Sequence, residues 1–317
     1  MALLLREDDV RAAIDMEAVI EAVAGATAEL GRGLAQNQPR RRVRHPAGLL
    51  NTMSATVPSL DLCGFKTYTV AQGRARFLVG LFGLDGRPRA LIEADLMGAY
   101  RTGAATAVAA RRLKPGARRV ALIGAGWQAW TQALALSKVL EVERLFVYGR
   151  DRARREAFAS RAASELGLPA LAASTAREAV EGADLVVTVT NSPEPVLESG
   201  WVGPETLVVG AGSNIPSRAE LPPDLVARCR PVVVDQLETA RLESGDLVLA
   251  AEAGLFDWAQ AVELGALLAE DPRPPAEPGH PALFESHGLA VWDVAAGAAV
   301  LARAQEMGLG EEIRLLD

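Results

Sequence analysis

Two hydrophobic periods divide the chain. From Met16 to about Leu30, the apolar positions Val19, Val23, Ala26 and Leu30 recur at helical spacing behind Asp15, a residue suited to cap a helix. After an arginine cluster come strand-like runs at 49–55, 63–70 and 76–84, with Asp85-Gly86-Arg87-Pro88 as a turn signal. Their spacing fits a small mixed or antiparallel sheet. An alanine-rich stretch, 94–113, predicts one or two helices stopped by Pro115-Gly116.

Beyond this point, strands apolar on both faces alternate with helices, as expected where helices cover both sides of a parallel sheet. Strands are expected at 119–123, 144–148, 184–190, 206–210 and 231–234, and helices at 126–140, 151–166 and 175–181. Residues 270–281, rich in proline and acid, predict a linker or surface loop. A last alanine-rich helix, 289–307, is placed to return to the first unit. The fold class is therefore α/β: a Rossmann dinucleotide-binding domain at 116–288, and a smaller α+β domain made of 1–115 with 289–317.

Composition narrows the function classes. The 317 residues exceed one typical core, half of them are hydrophobic, and the net charge is −7. That balance argues against a nucleic-acid partner. Arg40-Arg41-Arg42-Val43-Arg44 reads either as a solvated strand edge or as a wall that binds an anion. Cys63 and Cys229 lack metal or redox spacing, and His45, His280 and His287 form no HxxxH pattern, so buried thiols and no metal are expected. No apolar run is long enough to span a membrane, and the start lacks a secretory pattern, so the cytoplasm is the expected location. Lysine occurs only at 66, 114 and 138, so Lys66 inside an apolar strand invites a chemical role, although edge strands also carry lysine.

Gly124-Ala-Gly126-Trp-Gln128-Ala129 after a buried strand is the GxGxxA phosphate-binding turn. The first glycine permits the turn, the second lets backbone approach a pyrophosphate, and Ala129 permits close helix–strand packing. The helix start then offers its N–H groups and dipole to the phosphates. At the end of the second strand, Gly149 occupies the usual acidic position and Arg150 follows, which favours NADP(H). NAD(H) stays open, because Asp151 could reach ribose hydroxyls.

Across nearly its whole length the chain resembles the ornithine cyclodeaminase/μ-crystallin family. The resemblance rests on Gly64-Phe-Lys66, Arg101-Thr-Gly-Ala-Ala-Thr-Ala and Gly124-Ala-Gly-Trp-Gln-Ala129. It continues through Ala183-Asp-Leu-Val-Val-Thr-Val-Thr190, Val232-Val-Val-Asp-Gln236 and Phe284-Glu-Ser-His-Gly-Leu-Ala-Val-Trp-Asp293. It implies a homodimer whose first domain, joined by the C-terminal helix, holds an imino or amino acid against the nicotinamide. It implies Arg42 (or Arg41), Lys66 and Arg101 at the substrate, with Gln128, Thr102, Thr190 and Ser286 at the cofactor. The chemistry fits: guanidinium clamps a carboxylate, and lysine protonates or polarises C=N.

One departure lowers the cyclodeaminase reading and raises the imine reductase reading. Cyclodeaminases resemble one another in an aspartate after the Gly-Ala pair, whereas this loop runs Gly210-Ala-Gly-Ser-Asn214 with no carboxylate before Glu220. Asn214 cannot take a proton from an amine, though it could orient substrate or stabilise a turn. The reading is therefore NAD(P)H-dependent reduction of an α-imino acid, such as pyrroline- or piperideine-2-carboxylate, to an L-amino acid. The alternatives are an ornithine cyclodeaminase and a cofactor-binding, μ-crystallin-like protein without catalysis.

Overall fold

The computed structural model describes residues 1–269 and 277–315. In chain order its elements begin β1 (Ala2–Leu5), α1 (Glu7–Ala13), α2 (Met16–Gly31), β2 (Gln36–His45), β3 (Gly48–Val57), β4 (Leu62–Ala71), β5 (Arg74–Gly83), β6 (Pro88–Glu93) and α3 (Asp95–Leu113). They continue with β7 (Arg119–Ile123), α4 (Trp127–Val139), β8 (Arg144–Tyr148), α5 (Arg152–Leu166), β9 (Ala170–Ala172), α6 (Ala176–Val180), β10 (Leu185–Thr188), β11 (Leu207–Gly210), α7 (Pro223–Arg228) and β12 (Val232–Val234). The chain closes with α8 (Leu237–Glu243), α9 (Gly245–Glu252), β13 (Ala261–Glu263), α10 (Leu264–Ala269), β14 (Ala282–Glu285), α11 (Ala290–Met307) and β15 (Glu311–Ile313).

Two compact units result, 1–101 with 288–317 and 102–287. The boundary falls inside α3, not at 115–116 as the helix stop suggested. The reason is packing: Gly103 lies so close to the Thr131 carbonyl that a β-carbon there would sit 2.3 Å from it, and residues 104–110 are buried. The second half of α3 thus belongs with α4.

In the first unit the sheet order is β15-β1-β6-β5-β4-β3-β2, antiparallel except for β1 beside β6. The strands β2 to β5 are ten residues each, and in β3 buried positions recur at every second residue from Asn51 to Val57, as one covered face requires. α11 packs on this sheet: Val294 lies 3.1 Å from where a β-carbon on Gly64 would be, and Gly297 lies equally tight on Leu81 and Ile92. The face that carries Gly64 and Lys66 is therefore the one covered by α11. In α2 the Asp15 carboxylate accepts from Ala18 N at 2.9 Å, and Val19, Val23 and Ala26 are buried as patterned; Leu30 is half-buried.

The second unit is a parallel sheet ordered β13-β12-β14-β11-β10-β7-β8-β9, the doubly wound arrangement the Val/Leu-rich strands require. Its interior strands are uniformly buried, as in Leu185–Thr188 and Leu207–Gly210. Cys229 is buried, while Cys63 is only half-buried, and both are free thiols. The proline-rich stretch lies largely outside the described residues. Among the described residues, no helix is long and apolar enough to cross a membrane, and no His, Cys, Asp and Glu group could hold a metal ion.

Candidate active site

Register in the first sheet builds a charged cluster on the covered face. Met53 pairs with Lys66, which pairs with Val79; two residues along, Arg42, Asn51, Tyr68 and Phe77 line up across four strands. Lys66 is 2% exposed, and its Nζ donates to Asp293 Oδ1 at 2.9 Å. The Arg101 Nε donates to the same oxygen at 3.1 Å. Close approach of that guanidinium explains Gly288: its φ is +86°, and a β-carbon would lie 2.4 Å from Arg101 Nη1. Burial pushes the Lys66 ammonium down to about 8; the neighbouring Arg101 charge adds to this, and Asp293 partly offsets it. For Asp293, burial raises the carboxyl, but Arg101 and Lys66 outweigh it and hold it below the usual range. At neutral pH the cluster is thus two cations on one buried carboxylate, with Lys66 able to give up a proton.

Asp293 escaped the sequence reading as a site residue. The signal was present: a lone acid in the alanine-rich apolar run Ala290-Val-Trp-Asp-Val-Ala-Ala is buried by the helix face, and a buried charge needs a partner. The arginine cluster is placed with equal clarity. Gln38 pairs with Ser54 and Arg41 with Thr52, so Pro39 and Arg40 together face Met53 across a bulge. Arg40 is thereby turned inward at 5% exposure, 5.9 Å from the Tyr68 ring, and its charge also depresses Lys66. Arg41 is exposed, and Arg42 is half-buried on the Lys66 face. Spacing alone could not locate the bulge, so Arg40 was not singled out.

In the second unit, β7 runs straight into the glycine turn. Gly124 N donates to Tyr148 O at 2.8 Å, and Gly124 has φ +130°. A side chain there is excluded twice, since a β-carbon would meet the Val189 carbonyl oxygen at 2.5 Å. Around Gly126, by contrast, nothing lies within 4 Å of a β-carbon position, and α4 starts at the next residue. Ala129 is fully buried against the strand, and among the described residues Gln128 Oε1 and Ser286 Oγ are buried without a hydrogen-bond partner. An open backbone turn at a helix start fits a dinucleotide pyrophosphate. At the end of β8, Arg150 is exposed, while the Asp151 side chain caps α5 by accepting from Arg154 N at 3.0 Å. Thr102 is buried, and Asn214 is half-buried in the loop after β11.

A buried acidic network at the ends of β10, β11, β12 and β14 was not foreseen. Glu220, fully buried, accepts from Thr190 N at 2.6 Å and Gly212 N at 2.8 Å, so one carboxylate ties two loops together. Its own N–H, and that of Leu221, donate to Asp246 Oδ1 at 2.7 and 2.6 Å. Glu285 accepts from Ser244 Oγ at 3.0 Å, and His287 lies between Glu285 and Asp235, 3.4 and 3.5 Å from their carboxylates. Desolvation lifts Glu220 to about 7 and Asp246 well above the carboxylate range. Burial alone would lower His287, but its bonds to Asp235 and Glu285 win and raise it to about 10.

Comparison with known proteins agrees with this architecture. The chain is 31% identical over 271 residues to a Delta(1)-pyrroline-2-carboxylate reductase from Bacillus cereus, covering 82% of this chain and 83% of that one. It is 30% identical over 324 residues to an iminosuccinate reductase from Paracoccus denitrificans, covering 99% and 100%. The structure of Thermococcus litoralis Delta(1)-pyrroline-2-carboxylate reductase, in complex with NADH and L-proline, superposes with a TM-score of 0.92 at 29% identity, covering 98% of this chain and all of that one. The model of the ornithine cyclodeaminase/mu-crystallin family matches residues 2–308. With the glycine turn, the buried Lys66 cluster and these likenesses together, the chain belongs to the ornithine cyclodeaminase/mu-crystallin family.

Proposed function

We propose that the protein reduces the C=N bond of an α-imino acid to an L-amino acid, using a reduced nicotinamide cofactor. The observation that carries this reading is the pair of buried cations, Lys66 and Arg101, sharing the single carboxylate of Asp293. Each retains donors beyond that shared oxygen, because ammonium has three and guanidinium five. Arg101, aided by Arg40 or Arg42, receives the α-carboxylate as a bidentate pair. Lys66, protonated below about 8, gives its proton to the imine nitrogen as the carbon is reduced. Asp293 keeps Lys66 charged and oriented between turnovers.

Gly124, Gly126, Gln128, Ala129, Thr102, Thr190 and Ser286 would hold the cofactor, which when bound supplies the hydride. Asp151 is occupied in capping α5, leaving the exposed Arg150 as the charge for a 2′-phosphate, so NADPH is the expected donor. A cyclodeaminase would need a carboxylate free to take a proton from an amine. The nearest one in the loop, Glu220, is turned inward onto Thr190 N and Gly212 N, and Asn214 stands where a base would be expected. The same reading expects a cytoplasmic homodimer.

The test is initial-rate oxidation of NADPH and NADH with pyrroline-2-carboxylate or piperideine-2-carboxylate, for wild type and Arg150→Ala. We expect consumption with a preference for NADPH that falls tenfold or more in the variant. An unchanged cofactor preference in Arg150→Ala refutes the role of Arg150, and no consumption with either cofactor refutes the reductase.

A further inference from the structure

One aromatic ring faces the buried ammonium of the cluster, and the chemistry above does not use it. Lys66 Nζ lies over the Phe77 ring, 5.1 Å from its centroid. An ammonium within about 6 Å of a ring centroid is drawn to the negative face of the ring, and the attraction grows as water is removed. Lys66 is 2% exposed, so little water screens it. Strand register explains the approach. Lys66 pairs with Val79, and Phe77 lies two residues along β5 on the same face, a diagonal neighbour that a long side chain reaches.

The ring is itself held in place. Phe77 pairs directly with Tyr68, and the two rings stack at 4.7 Å with their planes 28° apart. Arg40 lies 5.9 Å from the Tyr68 ring, so the aromatic pair runs between two cations. The Phe77 carbonyl accepts from Ala94 N at 3.1 Å, which ties β5 to the start of α3. One turn into α3, Gly98 leaves room for the ammonium, because a β-carbon there would lie 3.2 Å from Lys66 Nζ. The ammonium is thus flanked by the Phe77 ring from β5, by the Gly98 backbone from α3 and by Asp293 from α11, its acceptor at 2.9 Å.

Burial and the charges of Arg101 and Arg40 all favour a neutral amine at Lys66, and Asp293 favours the ammonium. Asp95, at the start of α3, is another carboxylate that feels Lys66, and it is exposed. A leucine at 77 would fill the sheet equally well. The ring adds an attraction that exists only while Lys66 is protonated. We propose that Phe77 is a positioning residue for the reduction: its face seats the Lys66 ammonium beside Asp293 and holds it in the charged form that delivers a proton to the imine nitrogen. This rests on the imine-reductase reading above. In that step the proton leaves Lys66 Nζ for the imine nitrogen as the carbon takes the hydride, and solvent afterwards returns a proton to the amine. Phe77 makes and breaks no bond.

The experiment reads the Lys66 amine directly. Lysine occurs only at 66, 114 and 138, so carbon-13 labelling of lysine gives a spectrum in which Lys66→Met identifies the Lys66 signal. The proteins compared are wild type, Phe77→Leu, Phe77→Tyr and a protein with pentafluorophenylalanine at 77, which keeps the shape of the ring and inverts its charge distribution. In wild type the Lys66 signal should titrate near 8. Phe77→Leu and the fluorinated protein should lower that midpoint by about half to one and a half pH units, whereas Phe77→Tyr, which keeps the ring, should leave it within about 0.3 unit. The alkaline limb of kcat/KM for reduced-cofactor oxidation with pyrroline-2-carboxylate should move with it. The fluorinated ring separates lost attraction from any lost packing in Phe77→Leu. A Lys66 midpoint unchanged in the fluorinated protein, or one that moves while the alkaline limb stays, overturns the role of Phe77 and leaves the reductase standing. No imine reduction by wild type overturns the reductase reading, and the positioning role with it, even where the titration shifts.

Discussion

Replacing Asp293 by Asn removes the one negative charge that Lys66 and Arg101 share, so the consequence can be worked from the geometry. The Lys66 Nζ to Asp293 Oδ1 distance is 2.9 Å, and both side chains are almost wholly buried. At an effective dielectric of about 20, one unit pair at that distance is worth roughly 6 kcal/mol before desolvation is counted. Losing one partner of a buried pair typically costs about 3–5 kcal/mol. The protein has a cheaper escape than unfolding, which is to release the Lys66 proton. About 1.4 kcal/mol corresponds to one pKa unit, so a loss near 3 kcal/mol moves the ammonium down by roughly two units. Lys66 sits at about 8 in wild type, so in the variant it is neutral at pH 7.5 and has no proton to give. The assay is the pH profile of kcat/KM, with urea unfolding at pH 6 and pH 9. Wild type should lose activity as pH rises through about 8, and Asp293→Asn should lose it one to two units lower. The stability deficit should be larger at pH 6, where wild-type Lys66 is charged and paired with Asp293, than at pH 9, where it is largely neutral. A variant whose alkaline limb stays near 8, with equal deficits at both pH values, refutes the reasoning.

Three further outcomes follow from the same geometry. Lys66→Met should lower kcat by about 10²–10⁴ through loss of the proton donor while leaving the cofactor dissociation constant within a few-fold, measured by initial rates and NADPH fluorescence. Gly124→Ala should weaken cofactor binding tenfold or more and lower stability by about 1–3 kcal/mol, seen by titration and urea unfolding, because φ +130° and the Val189 carbonyl at 2.5 Å both oppose a β-carbon. Glu220 is raised to about 7, so its contribution to stability is full below its ordinary value of 4.5 and is lost as pH rises through about 7. Glu220→Gln should flatten that part of the stability–pH curve, a change of at most about 3 kcal/mol between pH 5 and pH 8, and should weaken cofactor binding, because Thr190 N and Gly212 N bond different carboxylate oxygens and the NH2 that replaces one of them cannot accept.

The sequence showed the elements with strong periods and missed what depends on long-range placement. β7 and β8 were legible to the residue, since buried Val/Leu runs before Gly124 and Gly149 admit few alternatives. β1, β9, β13 and β15 were not, because three or four residues carry too little period to read. β14 is central in its sheet, yet its strand Ala282–Glu285 follows a proline-rich stretch and reads as the tail of a loop. Lys66 and Arg101 stood out because lysine is rare here and the Arg-Thr-Gly-Ala block is distinctive. Their counter-charge lies 227 residues from Lys66 along the chain, a pairing no local pattern encodes. The inward turn of Arg40 depends on a bulge, and the seat of Lys66 over the Phe77 ring depends on strand register; both are properties of packing. Glu220 entered the sequence reading only as the first carboxylate of its loop, whereas its backbone bonds make it a clamp on two loops.

The central claim is that reducing equivalents leave the cofactor for good and end in an amino acid. Its most direct test is the stoichiometry of a complete turnover, with NADPH loss followed by absorbance and L-amino acid measured by chiral chromatography. The account predicts one NADPH oxidised for each L-amino acid formed from an α-imino acid. Ammonia released from ornithine with NAD⁺ present, and no net change in reduced cofactor, would contradict it.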